Sequence, residues 1–158
     1  MKPAQSSATR TIQAPIERVY AAFLTPEDLA AWLPPGGMTG VIHAFDGRVG
    51  GGFEMSLFYP QAATDVRGKT AEREDRSRVR FLELEPNARI VEAVTFVSDD
   101  PAFSGEMRIS VTFTEQGGGT SVTMAFDDLP PGVRPEDNDE GARLSLENLA
   151  RRLEAERA

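Results

Sequence analysis

The sequence predicts an α+β domain in which an antiparallel sheet is covered by one long C-terminal helix. Apolar residues recur with a helical period near the N-terminus, alternate with a period of two through the middle, and return to a helical period at the end. An antiparallel sheet with one apolar face must be covered, and the C-terminal segment is the only predicted helix large enough to do so.

Length and composition indicate one globular domain of ordinary size. The chain has 158 residues, of which 40% are hydrophobic and 27% are charged, and its formal net charge is −8. A chain of this size buries roughly two-thirds of its unfolded surface, so it needs no disulfide or metal for stability. The negative charge argues against a nucleic-acid partner. The lack of cysteine excludes disulfides, thiolate zinc sites and a cysteine nucleophile.

The domain boundaries follow from the same sequence. We expect residues 1–7 to be frayed and residues 8–158 to form a single domain. The first residues contain no apolar stretch typical of a signal peptide, and no apolar run is long enough to cross a bilayer. We therefore expect a cytoplasmic protein without a membrane partner. The sequence leaves open whether the chain is a monomer or a homodimer.

One strand and two short helices are predicted before residue 40. Residues 9–13 alternate weakly, which indicates a strand. Pro15 suits the first turn of a helix, and residues 16–23 place their apolar side chains on one helical face. Thr25 and Pro26 begin a second helix, which ends before the proline and glycine residues at 34–37.

About six antiparallel strands should follow. Alternating apolar residues predict strands at residues 41–45, 53–59, 78–85, 89–98, 107–113 and 121–126. Residues 68–77 are too charged to be buried on both faces, so we expect an exposed edge strand or an excursion there. The last helix should begin near residues 134–138 and end near Glu156, with Leu146 and Leu149 on its apolar face.

This order of motifs resembles the START-like, or helix-grip, superfamily, also called SRPBCC. Residues 12–23 are similar to its opening, with a strand, then Ala14-Pro15, then Val19 and Tyr20 on the first helix. Gly51-Gly52-Phe53, Glu85-Pro86 and Gly119-Thr120 follow in the expected sequence. The most similar branch is the one named for the C-terminal domain of the activator of the heat-shock-protein-90 ATPase. The resemblance covers about residues 8–156.

The resemblance implies a curved sheet that grips the C-terminal helix, with a cavity between them. It implies lipid transfer, polyketide cyclisation, hormone sensing or co-chaperone activity, because one fold can carry many functions. We expect the cavity to bind a small, largely apolar molecule. The residues predicted to line it are Trp32, His43, Phe45, Met55, Leu57, Glu92, Met107, Ile109, Leu146 and Leu149.

Three of the predicted site residues have an alternative interpretation. Trp32 offers a large apolar face and one N–H donor to a ligand, or it anchors the short helices in the core. His43, the only histidine, is either a polar group of the site or an ordinary histidine at a strand end. Glu92 and Arg80 interrupt apolar strands, so they either form an inward ion pair beside a ligand or both face solvent.

Two other functions remain open from the sequence. A cyclase- or hydratase-type enzyme would need His43, Glu92, Arg80 or Asp46 to converge in the pocket. A protein-interaction module, such as a chaperone regulator, would have a filled core and an exposed apolar patch. With one histidine, no cysteine and no strong catalytic constellation, we assign no catalytic residues and expect no metal or cofactor.

Overall fold

The computed structural model describes residues 4–60 and 74–156. Their elements in chain order are β1 (Ala4–Ile12), α1 (Ile16–Ala22), α2 (Pro26–Trp32), β2 (Thr39–Asp46), β3 (Gly52–Phe58), β4 (Glu74–Glu85), β5 (Arg89–Phe96), a 3-10 turn (Pro101–Phe103), β6 (Glu106–Gln116), β7 (Gly119–Leu129) and α3 (Pro135–Ala155). This is the predicted α+β, helix-grip architecture, and the fold class is confirmed.

The seven strands form one open, curved antiparallel sheet in the order β1-β7-β6-β5-β4-β3-β2. Strands β2 to β7 follow one another as a meander, because each pairs with its neighbour in the chain. The first strand instead crosses to the far edge and pairs with β7. The two short helices connect the two edges of the sheet, and α3 packs against β1 and α2.

One face of the sheet forms the core together with α3. Alternate residues of the long strands point inward and are buried, as in Met107, Ile109, Val111 and Phe113 of β6. The covering helix contributes Leu146, Leu149 and Leu153, each 1% exposed or less. Polar residues occupy the intervening positions of β6 on the outer face, so the strand follows the predicted alternation.

Two strands begin earlier than predicted. The first strand starts at Ala4, so residues 4–7, which were expected to be frayed, are ordered against α3. The Ser6 hydroxyl and the Ser7 amide both donate to the carboxylate of Asp139, at 3.0 Å for the amide. Residues 4–7, which the sequence placed in a frayed segment, lie within β1, and Ser6 and Ser7 bond a residue of α3 that is more than a hundred residues away in the chain.

The fourth strand starts at Glu74 rather than at residue 78. Residues 74–77 were expected in an exposed edge strand or excursion, but β4 lies between β3 and β5 and is an interior strand. Asp75 pairs with Leu57 and is buried on the inward face. The remainder of that predicted segment, residues 68–73, lies outside the described residues.

A buried carboxylate holds the three helices together. Asp28 of α2 is 4% exposed and accepts hydrogen bonds from Arg18 of α1 at 2.9 Å and from Arg152 of α3 at 2.8 Å. Burial alone would raise the pKa of Asp28, but the two guanidinium groups outweigh it and lower that pKa. Arg18 also bonds Glu156, so the network fixes α2, and with it Trp32, relative to α3.

Candidate functional site

A cavity of about 510 Å³ lies between the inward face of the sheet and the N-terminal half of α3. The two short helices and the segment before α3 complete its walls. Most of the lining side chains are aromatic or aliphatic: Phe23, Leu29, Trp32, Leu33, Met38, Phe53, Leu57, Val79, Val94, Phe96, Phe103, Met107, Ile109, Met124, Phe126, Val133 and Ala142.

The cavity exists because several side chains of α3 are small. Asp137 and Asn138 line the cavity in the first turn of the helix, but the helix residues that face it after that turn are short, namely Gly141, Ala142 and Ser145. Further along the helix, Leu146 and Leu149 fill the corresponding space and are fully buried. Small side chains on one half of the helix therefore leave a gap that leucines close on the other half.

The structure brings five of the ten predicted residues to this cavity. Trp32, Leu57, Glu92, Met107 and Ile109 line it. The other five do not line it, and these are His43, Phe45, Met55, Leu146 and Leu149. Four of these five are packing residues, and the fifth, His43, lies on the other face of the sheet.

Phe45 and Met55 belong to the core beneath the cavity rather than to its wall. The Phe45 ring stacks on Phe53 at a centroid distance of 6.0 Å and meets Phe81 edge-on at 6.1 Å. Met55 is 2% exposed and approaches the backbone of Gly40 on the paired strand. Both side chains point inward as predicted, but neighbouring side chains cover them.

His43 faces outward because the register of β2 and β3 shifts between Ile42 and Ala44. This bulge adds one residue to β2, so simple alternation no longer places His43 on the face of Phe45. The His43 ring is exposed, and its Nε2 lies 2.8 Å from the Ser56 hydroxyl. That hydroxyl donates to Glu74, so the three side chains form a polar cluster on the outer face.

Trp32 anchors the short helices in the core, as one of its two interpretations predicts. It is fully buried, its Nε1 donates to the carbonyl of Ala22 at 2.9 Å, and its ring packs on Phe23 at 4.7 Å. It also presents part of its ring to the cavity. Because its only donor is already engaged, Trp32 offers a ligand apolar surface rather than a hydrogen bond.

Glu92 brings a carboxylate into this apolar space. It is 7% exposed, and burial raises its pKa to about 7. The structure matches neither of the two alternatives for Glu92 and Arg80, because Glu92 faces the cavity and Arg80 does not. Arg80 pairs with Ala93 in the sheet register, so it points to the opposite face, where it lies 3.7 Å from Glu106. Among the described residues, no donor or cation contacts the Glu92 carboxylate.

A second buried carboxylate in the cavity was not predicted. Asp75 is 6% exposed and accepts a hydrogen bond of 2.8 Å from the hydroxyl of Tyr59. Burial and the Asp75 charge both raise the pKa of Tyr59. The sequence does contain a strand pattern here, since Asp75, Ser77, Val79 and Phe81 alternate on one face. The many charged residues around Asp75 made that alternation difficult to recognise.

Polar groups of the helix start border the cavity where it opens toward solvent. These are Arg134, Asp137 and Asn138, none of which was predicted as a site residue. The Arg134 side chain is 73% exposed and lies 3.7 Å from Glu136. Nearby, the amide of Gly132 donates to the carbonyl of Ala102 at 2.6 Å, which closes this side of the cavity beside Phe103.

Sequence comparison assigns the chain to a family. The family model described as "Activator of Hsp90 ATPase homolog 1-like protein" matches residues 13–154, which is nearly the whole chain. The chain belongs to this family. The predicted superfamily resemblance is thereby confirmed. No curated protein matches the chain.

Solved structures agree with the family assignment. A protein from Chromobacterium violaceum is 32% identical, with a TM-score of 0.83, and the match covers 95% of this chain and 96% of the other. A protein from Mycobacterium smegmatis is 17% identical, with a TM-score of 0.74, over 94% and 90% of the two chains. At 17% identity, the similarity to the Mycobacterium smegmatis protein shows only that the two chains share a fold.

A further similar structure belongs to DynU16, a protein in the dynemicin biosynthetic locus. It is 20% identical, with a TM-score of 0.68, and the match covers 95% of this chain. This chain spans about half of DynU16, since 47% of that protein is covered. The shared part shows that both chains have the helix-grip fold.

The fold does not bring together the residues that a cyclase- or hydratase-type enzyme would need in the pocket. Of His43, Asp46, Arg80 and Glu92, only Glu92 lines the cavity. Within residues 4–60 and 74–156, no three His, Cys, Asp or Glu side chains are grouped so that they could hold a metal ion. None of the helices in those residues combines the length and apolar character that a transmembrane helix needs.

Proposed function

We propose that this member of the activator-like family binds a small, largely apolar molecule between its sheet and α3. The observation that carries the proposal is the cavity of about 510 Å³ with its mainly aromatic and aliphatic lining. Small-molecule sites typically have volumes of roughly 300–1,000 Å³ and a few polar groups among apolar walls. Glu92 and Asp75 are such polar groups here.

The shape of the lining supports a compact ligand with rings. Phe53 and Phe126 from the sheet and Trp32 from α2 all present side chains to the same space. Aromatic walls favour offset or edge-on packing with another ring. Met38, Met107 and Met124 add flexible thioether side chains, which adjust to ligands of different outline.

The surface gives less support to a protein-interaction module. Among the described residues, the large hydrophobic side chains that are exposed are Val41 at 45% and Val49 at 62%. Two valines do not make a patch of the several hundred Å² that marks a docking surface. In the part of the chain that the structure describes, the cavity wall is the larger continuous apolar surface.

The neutral dye Nile red tests the proposal, because its emission shifts and strengthens in apolar surroundings. We expect saturable binding with one site per chain, quenching of Trp32, and a higher melting temperature, since a ligand of the folded state stabilises it. Trp32 is the only tryptophan, so its quenching reports on the cavity wall. The variant His43→Ala should bind equally well, because His43 lies on the outer face. Absence of saturable binding would contradict the proposal.

A cyclase- or hydratase-type enzyme is the second candidate, and one observation favours it. The buried carboxyl of Glu92, with a pKa of about 7, can accept or donate a proton near neutral pH. Dehydration of an aromatic β-hydroxy ketone to its conjugated enone, followed by absorbance, distinguishes the candidates. An enzyme would accelerate the loss of water and lose that activity in Glu92→Gln, whereas a binding protein would leave the ketone unchanged.

A further inference from the structure

We propose that the cavity selects lipophilic amines, with Glu92 as the carboxylate that receives the protonated nitrogen. This inference rests on the proposed function, because it names the class of ligand that the same cavity takes. It follows from the burial of Glu92, the absence of a partner for it within residues 4–60 and 74–156, and the character of the groups around it.

Glu92 is a buried carboxylate that is open toward the cavity. It occupies an inward position of β5 and is 7% exposed. Among the described residues, every side-chain nitrogen or oxygen that is closed off from solvent has a hydrogen-bond partner. The Glu92 oxygens have no such partner, so they are not closed off, and the space they reach is the cavity.

Burying a carboxylate without a partner is costly in free energy. An ionised carboxylate removed from water loses several kcal/mol unless a cation or hydrogen-bond donors replace its hydration. Asp28, which is buried to a similar degree, shows a common solution, since Arg18 and Arg152 both bond it. Glu92 has no equivalent within the described residues, so a ligand can supply what Arg18 and Arg152 supply to Asp28.

Several donors in the cavity wall are already engaged within the protein, including those of Tyr59, Asn138 and Ser145. Asp75 is a second carboxylate, and the Tyr59 hydroxyl already donates to it. The Trp32 N–H is engaged by the carbonyl of Ala22. The cationic side chain among the described lining residues is Arg134, which is mostly exposed at the opening and lies beside Glu136.

These groups favour a cationic ligand over a neutral or anionic one. An ammonium group donates charge-assisted hydrogen bonds to a carboxylate, which are about twice as strong as neutral ones. A ligand carboxylate would instead meet the Glu92 carboxylate as a like charge. The aromatic faces of Phe53 and Phe126 add favourable cation–π contacts for a nitrogen that approaches them.

Three probes that share one ring system test the inference. Naphthylmethylamine, naphthylmethanol and naphthoic acid differ only in the polar group, and calorimetric titration at neutral pH gives their dissociation constants. We expect the amine to bind at least about tenfold more tightly than the alcohol, and the acid to bind most weakly. In Glu92→Gln the amine should lose that preference, because the variant keeps the side-chain shape and removes the charge.

A matched variant distinguishes an effect of the Glu92 carboxylate from an effect of the protein's overall charge. Glu115→Gln makes the same chemical change at an exposed residue of β6 outside the cavity, and it should keep the preference for the amine. Equal binding of amine and alcohol to the unmodified protein, or a preference that persists in Glu92→Gln, would overturn the inference and leave the proposed function standing. If none of the three probes binds, both fail. Melting temperatures establish that each variant is folded.

Discussion

Two buried carboxylates show how individual residues divide between folding and function. Asp28 and Glu92 are 4% and 7% exposed, and burial acts on both to raise the pKa. Two arginines reverse the effect at Asp28, whereas nothing among the described residues does so at Glu92. The first carboxylate therefore stabilises the fold, and the second reduces stability in a place where a ligand can contact it.

The pH dependence of stability tests this account of Glu92. Its folded pKa of about 7 lies above the ordinary value of 4.5, so the folded state holds the proton more tightly than the unfolded state does. Stability is therefore greatest below pH ~4.5 for this group and is lost as the pH rises through ~7, by up to roughly 3 kcal/mol. Glu92→Gln should lack this loss.

Denaturant unfolding at several pH values between about 5 and 8 measures the effect. The difference in unfolding free energy between Glu92→Gln and the unmodified protein should grow as the pH rises, because other titrating groups are common to both. A difference that does not depend on pH would show that Glu92 is solvated or paired in the folded protein.

Some of these site residues could be predicted from the sequence, and others could not. Glu92 was a candidate because a charged residue in an apolar strand is conspicuous, but alternation left open whether its side chain faces inward or toward solvent. His43 was placed on the wrong face because the bulge after Ile42 depends on strand pairing, which local sequence does not display. Asp75 was missed because its charged neighbours hid a period of two.

At the scale of elements, the helices are positioned by charge as well as by apolar contact. Asp28 links α2 to both α1 and α3, and Asn148 of α3 donates to the carbonyl of Pro34 at 2.9 Å beyond the end of α2. These bonds hold Trp32 against the cavity and set the separation of α2 from α3. Such contacts join residues far apart in the chain, so sequence periodicity alone could not predict them.

Removing the charge of Asp28 should destabilise the whole domain. Asp28→Asn leaves Arg18 and Arg152 without their shared partner, and we expect a loss of about 2–3 kcal/mol in unfolding free energy. The expected loss is below the full buried-pair value because both arginines are about one-third exposed.

Glu156→Gln provides the control for this prediction, since Glu156 bonds Arg18 at 2.8 Å but is half exposed. Its loss should stay below about 1 kcal/mol. Thermal and denaturant unfolding of the two variants measure the difference. Equal losses would mean that the network acts through general surface charge and not through the buried carboxylate.

At the scale of the whole molecule, the order of elements was more predictable than their separation. The change from helical to alternating period and back determined the fold class, because each pattern fits one kind of element. The antiparallel character of the sheet was also predicted, but the pairing of β1 with β7 was not, because these strands lie at opposite ends of the chain. Whether α3 meets the sheet or stands away from it depends on side chains from several elements at once, so the cavity needed coordinates.

The structure explains the cavity through the residue types on α3. Gly141, Ala142 and Ser145 are too short to reach the sheet, whereas Leu146 and Leu149 reach it and pack. A side chain added at Gly141 would find no atom within 4 Å of its Cβ. The position is thus open space beside the cavity, and a larger residue there should fill the proposed binding volume without disturbing the fold.

The binding of Nile red to Gly141→Leu tests the central claim most directly. Leucine is a better helix former than glycine, by roughly 0.8–1 kcal/mol, so the variant should fold at least as stably as the unmodified protein. We predict that it loses most of its affinity, while Gly141→Ala, which adds only a methyl group, keeps most of it. Full affinity in a folded Gly141→Leu would contradict the account, because it would place the ligand outside the cavity between the sheet and α3.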